Sequence, residues 1–274
     1  MKISCCIFDL DGTLLTSELR ISDIDKKTLQ NLNKRGIKIV IATGRSIHQI
    51  KEYTRELEIS DPVITFNGAL IANPATGEVI TKKVFPIEEV HAIEALMKEE
   101  GLNYFFYTTN RVYYVNDCDY YRFQEHYNSI LPEELRIPIF HISEMTEEEY
   151  SDVLVIALNN DTAIIPSLKA KLDKIAKVSL LDSGRNIMDL IPAGTSKGEA
   201  IKELLSHFDI PISETVAFGD SQNDETMFDA VGFSVAMGNA YETLKKKADF
   251  VSKTNDDYGI TYALNTLLSE SESV

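Results

Sequence analysis

The chain has 274 residues, enough for two domains or for one large α/β domain that carries an insertion. Its 43 acidic residues against 27 basic ones give a net charge of −16, which disfavours binding to nucleic acid or to an anionic membrane surface. The three cysteines, Cys5, Cys6 and Cys118, lack the number and spacing of a disulfide framework or a zinc site. No segment has the pattern of an export signal or the roughly 18 consecutive apolar residues of a membrane span. We therefore expect a cytoplasmic protein, a monomer or weak homo-oligomer, that binds neither nucleic acid nor membrane.

The N-terminal quarter of the chain has the pattern of a parallel sheet with helices between its strands. The apolar run from Ile3 to Asp9 is typical of a strand that is buried on both faces. Ser22 followed by Asp25 has the spacing of a capping box, and it predicts a helix that ends near Gly36. A strand at 37–42, a helix at 46–58 and a strand at 63–67 complete the series. This βαβαβ order predicts an α/β fold with a doubly wound, Rossmann-like parallel sheet.

The pattern changes after Asn67-Gly68, where two short strands at 69–72 and 78–84 flank a turn-rich stretch. The next hundred or so residues predict an α+β unit, with helices at 87–100, 120–128 and 163–176 and strands at 104–107, 112–115, 153–157, 178–181 and 186–190. After Pro192 the α/β order resumes, with helices at 197–208, 224–230 and 240–247 and strands at 215–219 and 233–236. The sequence therefore predicts a core domain at 1–82 and 191–274, split by an inserted α+β domain at 83–190.

Two carboxylates, Asp9 and Asp11, follow the first predicted strand. Their spacing can place both side chains on one side of the chain, and Gly12 allows a sharp turn behind them. Two acids so close resist ionising together unless a hard divalent cation such as Mg²⁺ lies between them. A plain Asp-Gly turn is the alternative, although the full string Asp9-Leu10-Asp11-Gly12-Thr13 is rare by chance in a chain of this length.

Three further polar clusters occur where a strand ends or a helix begins, the region where doubly wound sheets bind ligands. Thr43-Gly44 offers a hydroxyl and an unhindered backbone N–H to a phosphate, or it simply starts a helix. Lys197 places an ammonium at a helix start, where the helix dipole disfavours a cation unless an anion is near; the alternative is an exposed lysine. Asp220 and Asp224 could hold a metal ion or could cap the next helix.

These four clusters resemble the motifs of the haloacid dehalogenase superfamily of phosphohydrolases, which are D-x-D-x-T, a Ser or Thr after a strand, a Lys, and G-D-x-x-x-D. All four are present here in that order. The segments Phe66-Asn67-Gly68-Ala69 and Gly219-Asp220-Ser221-Gln222-Asn223-Asp224 are similar to the Cof-like branch, in which a large α+β cap is inserted between the second and third motifs. The resemblance implies that the inserted α+β domain is such a cap.

The resemblance also implies a role for each acidic residue of the motifs. Asp9 is then the nucleophile that forms an aspartyl-phosphate, and Asp11 is the acid and base, with a pKa nearer to working pH than that of an isolated Asp. Mg²⁺ is held by Asp9, by the backbone carbonyl of Asp11 and by Asp220, with Asp224 supporting the site.

The phosphoryl group is expected to meet a set of donors that stabilise the charge developing in the transition state. Under the same resemblance these donors are the Leu10 N–H, Thr43, Gly44, Lys197 and Asn223.

The implied activity is that of a Mg²⁺-dependent phosphatase of small phosphorylated metabolites, above all sugar phosphates. A sugar phosphomutase is the first alternative, because relatives with a similar cap return the phosphoryl group to the sugar. A signalling receiver uses a comparable set of Asp, Thr and Lys residues, but receivers are about half this length. Aromatic pairs at 104–107, 113–114 and 120–121 could line a substrate pocket, although such pairs are ordinary strand formers and favour a core position.

Overall fold

The computed structural model of the protein describes residues 2–160, 164–183 and 186–271. The chain divides into two compact units. The first comprises the chain up to Ser46, Ile50–Ile80 and the chain from Ser196 onward, and the second comprises Ile47–Gln49 and Thr81–Thr195. No helix within the described residues combines the length and the apolar character that crossing a bilayer requires.

The first unit is built on a sheet of five parallel strands in the order β14-β13-β12-β1-β2. The strands, numbered in chain order, are β1 (Cys5–Phe8), β2 (Lys38–Ile41), β12 (Thr215–Gly219), β13 (Phe233–Ala236) and β14 (Phe250–Val251). In the register of the sheet, Cys5 of the central strand lies opposite Lys38 on one side and Thr215 on the other.

Helices cover both faces of this sheet, as the alternation of side chains along β1 shows. Cys6 and Phe8 join one hydrophobic cluster, and Cys5 and Ile7 join another on the opposite face. The helices of this part of the chain are α1 (Asp23–Lys34), α2 (Ile47–Glu56), α7 (Lys197–Phe208), α8 (Glu225–Phe228), α9 (Glu242–Lys247) and α10 (Gly259–Ser271). The predicted doubly wound α/β fold is confirmed.

A second, three-stranded sheet contains β3 (Val63–Thr65), β4 (Leu70–Ala72) and β5 (Val79–Lys82). A strand from Val63 to Asn67 is predicted as part of the parallel sheet, and the structure differs in the length of this strand and in its main pairing. The strand ends at Thr65, because Phe66 and Asn67 adopt positive φ angles. It pairs antiparallel with β4, although a parallel bridge between Ala42 and Ile64 joins it to the chain after β2, as the prediction requires.

The second unit contains a six-stranded sheet in the order β10-β11-β9-β6-β7-β8, antiparallel except between β7 and β8. Its strands are β6 (Tyr104–Tyr107), β7 (Val112–Tyr114), β8 (Ile139–His141), β9 (Val155–Asn159), β10 (Val178–Asp182) and β11 (Ile187–Pro192). Its helices are α3 (Ile87–Glu99), α4 (Asp119–Ile130), α5 (Glu147–Tyr150) and α6 (Ile165–Leu172); the predicted start of the last at Ala163 lies outside the described residues. Tyr104, Phe106 and Tyr113 are buried in one cluster with residues of α3 and α6, which agrees with the core position expected of them. The core position is wrong for Tyr114, Tyr120 and Tyr121, which are only partly buried.

Candidate active site

The polar clusters meet at the carboxyl edge of the parallel sheet. Asp9 follows β1, Thr43 comes just after β2, and Asp220 follows β12. These three strands are neighbours in the order β12-β1-β2, so their ends lie side by side. Lys197 is the first residue of α7, whose N-cap Ser196 accepts a hydrogen bond from the Glu199 N–H.

Lys197 is the centre of a buried ion-pair network. Its Nζ lies 2.5 Å from Asp9 Oδ1 and 2.7 Å from Asp224 Oδ1, and its side chain is 0% exposed. Burial would lower the pKa of Lys197, but Asp224 and Asp9 raise it above its usual value. The lysine is therefore a permanent cation, held in place by two carboxylates.

Asp224 is fixed by bonds from its own turn, and Asp220 by a bond from the turn after β1. Asp224 Oδ2 accepts hydrogen bonds from the backbone N–H groups of Asp220 and Ser221, each at 2.9 Å. Asp220 Oδ1 accepts a bond from Thr13 Oγ1 at 2.9 Å. Gly12 has φ +79°, and a Cβ there would lie only 2.5 Å from Asp220 Oδ2. Only glycine therefore lets the Asp9–Thr13 turn approach the Asp220 carboxylate so closely.

The three acids of the site, of which Asp9 and Asp224 are buried and Asp220 is partly buried, carry more negative charge than the single lysine offsets. Burial raises the pKa of Asp9 well above its usual range; Lys197 lowers it, and Asp224 and Asp220 raise it further. Burial and Asp224 likewise raise the pKa of Asp220 to about 6. Carboxylates in this state are stabilised in the ionised form by an additional cation.

These residues fit a metal ion. Oxygen atoms of Asp9, Asp220 and Asp224 lie within 4.8 Å of one another. An all-oxygen donor set suits a hard cation, and an excess of two negative charges over Lys197 matches a divalent one. Asp224 accepts bonds from the Lys197 ammonium and from two backbone N–H groups, whereas Asp220 accepts from the hydroxyls of Thr13 and Ser221, which can rotate. Asp9 and Asp220 are therefore the better placed to bind a metal directly.

The Asp11 carboxylate does not join this cluster. It forms a two-pronged ion pair with Arg45, whose Nε lies 2.8 Å from Oδ2 and whose second guanidinium nitrogen lies 2.5 Å from Oδ1. The Arg45 guanidinium also lies over the ring of Tyr53. The expected part of Asp11 in metal binding involves its backbone carbonyl, which this pairing leaves untouched, whereas proton transfer to a substrate requires the carboxylate to leave Arg45.

The expected phosphoryl donors fall into two groups. Lys197 lies in the acidic cluster, while Thr43, Gly44 and Asn223 are connected through Asn67. The Asn67 N–H donates to the Thr43 carbonyl at 3.0 Å, and the Asn67 side chain accepts from Asn223 Nδ2 at 2.9 Å. Thr43 Oγ1 accepts a bond from the Arg45 N–H at 3.1 Å, which leaves its own hydrogen free to point elsewhere. The Leu10 side chain is buried in the core, so only its backbone can serve the site.

Two asparagines that the sequence-based prediction missed also hold this edge together. Asn239 Nδ2 donates to the Gly12 carbonyl at 2.8 Å, and Asn255 Nδ2 donates to the Leu15 carbonyl at 2.8 Å. Both asparagines fix the loop that follows Asp9. Asparagine after a strand or in a turn is a weak signal by itself, since its local use as a turn former is equally common.

Residues 6–264 match the family model of the haloacid dehalogenase-like hydrolases. Phosphatase YwpJ of Bacillus subtilis is 30% identical over 287 residues, which cover 95% of this chain and 98% of that protein. The 5-amino-6-(5-phospho-D-ribitylamino)uracil phosphatase YwtE of the same organism is 28% identical over 286 residues, with coverage of 97% and 99%. The solved structure of a HAD subclass IIB sugar phosphatase superposes with a TM-score of 0.76 at 28% identity, covering 96% of this chain and 98% of that one.

The chain therefore belongs to the haloacid dehalogenase-like hydrolases. Within that superfamily it is a phosphatase of the Cof-like, subclass IIB branch, and the resemblance drawn from its motifs is confirmed.

Proposed function

We propose that the protein is a Mg²⁺-dependent phosphohydrolase that removes phosphate from small phosphorylated metabolites, sugar phosphates above all, through an aspartyl-phosphate intermediate. The observation that carries this proposal is the buried cluster in which Lys197 Nζ lies 2.5 Å from Asp9 and 2.7 Å from Asp224. It combines a carboxylate nucleophile, a fixed cation for phosphoryl oxygens and an unbalanced negative charge that a divalent metal would offset.

In the first half of the reaction an oxygen of Asp9 attacks phosphorus, and the bond from phosphorus to the leaving oxygen breaks. Asp11, released from Arg45 and protonated, donates its proton to the leaving alcohol. In the second half the ionised Asp11 takes a proton from water, and that water attacks phosphorus. The bond from phosphorus to Asp9 then breaks, so that inorganic phosphate leaves and the carboxylate is restored.

Asp9, Asp220 and the Asp11 carbonyl would hold Mg²⁺, with Asp224 fixing Lys197 and the Asp220 turn behind them. When bound, the ion offsets the charge of the carboxylates and of the phosphoryl group. Charge on the phosphoryl oxygens would be stabilised by a set of donors comprising the Leu10 N–H, Thr43, Gly44, Lys197 and Asn223.

The substrate class is supported by relatives that share nearly the full length of the chain. One is named as a phosphatase of a phosphorylated ribitylaminouracil, and one solved neighbour is a sugar phosphatase. The first name contains a phosphorylated ribityl chain and the second a sugar, so both concern phosphate esters of polyhydroxylated molecules. We further propose that residues 83–190 form the cap that selects the leaving alcohol, that residues 1–82 and 191–274 carry the chemistry, and that the enzyme acts in the cytoplasm as a monomer or weak homo-oligomer.

The experiment is a screen of phosphorylated metabolites for release of free phosphate, with Mg²⁺ or with a chelator, comparing the parent protein with Asp9→Asn. The amide keeps the shape of the side chain but loses the nucleophile, so we expect Mg²⁺-dependent turnover by the parent and none by the variant. Asp173→Asn, which changes an exposed carboxylate, is the matched control and should keep full activity. Substantial turnover by Asp9→Asn would falsify the assignment of the nucleophile.

The same screen separates the alternatives. A phosphomutase would isomerise a hexose phosphate without net release of phosphate. A signalling protein would retain a phosphorylated Asp9 for minutes instead of turning it over.

A further inference from the structure

The turn between β3 and β4 has positive φ angles at three successive residues. Phe66, Asn67 and Gly68 have φ angles of +52°, +55° and +101°. The left-handed region is costly for a bulky residue such as Phe and tolerable for Asn. Phe66 and Asn67 are also buried, each 4% exposed. Backbone strain of this kind persists only where the surrounding structure imposes it, and it clusters at functional sites.

The turn is held against the segment of the second motif. The Phe66 N–H donates to the Arg45 carbonyl at 3.1 Å, and the Asn67 N–H donates to the Thr43 carbonyl at 3.0 Å. The Asn67 amide lies over Gly44, since a Cβ at position 44 would be 3.0 Å from Asn67 Nδ2. The left-handed conformation of this turn therefore places the Asn67 side chain against the Thr43-Gly44 backbone.

The same turn also reaches the other two phosphoryl-binding segments. A Cβ at Gly68 would lie 2.2 Å from the Ser196 carbonyl, directly before Lys197. The Asn67 side-chain oxygen accepts a hydrogen bond from Asn223 Nδ2 at 2.9 Å. Among the residues that the structure describes, this is the one hydrogen bond made by the Asn223 amide, whose buried Oδ1 has no partner there.

We propose that Asn67 is a positioning residue for the phosphoryl-binding site, which orients the Asn223 amide so that its second N–H can donate to a phosphoryl oxygen. An Asn side chain turns easily about its last torsion, and a buried amide without a partner has no preferred orientation. The bond from Asn223 Nδ2 to Asn67 removes this freedom and leaves one amide hydrogen unused. This inference rests on the proposed function, because it takes Asn223 as a donor to the phosphoryl group.

The expected effect of removing the Asn67 amide is moderate. Loss of a complete donor to the reacting group typically costs roughly 100-fold or more in rate. Loss of the hydrogen bond that orients such a donor costs about 10-fold, as for one ordinary hydrogen bond. The effect should concern the phosphoryl group, so it should be the same for good and poor leaving groups.

The test is a double-mutant cycle of Asn67→Gly and Asn223→Ala, read as kcat/KM for p-nitrophenyl phosphate and as the inhibition constant of inorganic phosphate, at saturating Mg²⁺. Glycine accepts the positive φ, so the turn should keep its shape. We expect Asn67→Gly to lower kcat/KM and phosphate affinity about 10-fold in the parent, but less than about 2-fold in the Asn223→Ala background. Asn186→Gly, the same change at another asparagine of positive φ (+59°), is the control and should change neither quantity.

Two outcomes overturn different parts of the scheme. If Asn223→Ala is as active as the parent, the donor role of Asn223 in the proposed function is wrong. If Asn223→Ala is impaired but Asn67→Gly has equal effects in both backgrounds, only the positioning role of Asn67 is wrong.

A second variant answers the question if Asn67→Gly does not fold. Asn67→Asp tolerates the positive φ and can still accept the bond from Asn223, but it adds a negative charge beside Gly44. We expect it to weaken inhibition by phosphate by 10-fold or more. Unchanged inhibition by phosphate would place Asn67 away from the phosphoryl group and overturn the inference.

Discussion

Replacing Lys197 by Met tests the charge balance of the site through stability. The lysine side chain is fully buried and contacts Asp9 at 2.5 Å and Asp224 at 2.7 Å, so its loss leaves two buried carboxylates without their cation. Breaking a buried ion pair by removing one partner typically costs about 3–5 kcal/mol. In a protein of this size 1 kcal/mol corresponds to roughly 2–4 °C, so we expect the melting temperature of Lys197→Met in chelator at pH 7 to fall by about 6–20 °C.

The deficit should depend on pH in a defined direction. Burial already raises the folded-state pKa of Asp9, and removal of Lys197, which lowers that pKa, raises it further. A carboxyl group whose folded pKa is raised stabilises the fold below its unfolded pKa of about 3.9, and this contribution is lost as pH rises through the folded pKa. The difference between Lys197→Met and the parent should therefore be large at pH 7–8 and shrink toward pH 4–5.

The assay is thermal unfolding at several pH values, in chelator and in Mg²⁺, with Lys202→Met as the matched control. Lys202 lies on the same helix and pairs with Glu199 at 2.8 Å, but its side chain is 48% exposed, so its loss should cost less than about 1 kcal/mol. We expect Mg²⁺ to raise the melting temperature of Lys197→Met more than that of the parent, because the variant has more uncompensated negative charge. A deficit no larger than that of Lys202→Met, or one that does not change with pH, would refute this account of the site.

Three further predictions concern the other acids and the insertion. Asp11→Asn should lower kcat by about 10²- to 10⁴-fold on alkyl phosphates and much less on aryl phosphates, whose leaving groups need no proton; equal losses on both would exclude Asp11 as the acid. In chelator the parent should lose stability as pH rises from about 4 through the folded pKa of Asp220, about 6. In thermal melts, Asp220→Asn should reduce the dependence of the melting temperature on pH over this range, and an unchanged dependence would contradict the prediction. Replacing residues 83–190 by a short linker should leave a core that hydrolyses p-nitrophenyl phosphate with kcat/KM ratios among sugar phosphates near one, and retention of the parent's substrate ranking would place specificity in the core.

Elements that depend on local sequence were predicted well. Ser22 caps α1 and accepts from the Asp25 N–H, as its spacing indicates, because capping involves residues only three apart. The predicted bounds of β12, at 215–219, and of α7, at 197–208, agree with the structure. Each element combines a clear apolar pattern with a residue at its end that favours a turn or a cap. The four polar clusters could be placed at one edge because parallel strands all end there.

Elements that depend on distant partners were missed. The two-residue strand β14 exists because Phe250 and Val251 pair with β13, and β8 exists because it pairs with β7. Neither pairing leaves a periodic pattern in so short a segment. Helix α10 could have been found, since Ile260, Ala263, Leu264 and Leu267 are buried at helical spacing.

The sequence predicts that Asp9, Lys197, Asp220 and Asp224 lie together, as they do in the structure, but it does not predict how the neighbouring side chains are connected. The Asp, Thr and Lys residues can be recognised from the sequence by their side-chain chemistry and by their order along the chain. The pairing of Asp11 with Arg45 and the bond between Asn67 and Asn223 depend on side-chain directions after sharp turns, which residue type alone does not specify.

The position of β1 in the middle of the parallel sheet determines when the protein can fold during synthesis. The ribosome makes β1 before the other strands of this sheet, yet Cys5 pairs with Thr215, which emerges about 200 residues later. At a translation rate of about 5–20 residues per second, this edge of β1 remains unpaired for roughly 10–40 s before β12 has been synthesised. Throughout that interval the nascent chain holds Cys5, Cys6, Ile7 and Phe8, all destined for the interior, without one of their two neighbouring strands. Asp9 thus gains its complete surroundings only after Asp220 and Asp224 have been synthesised.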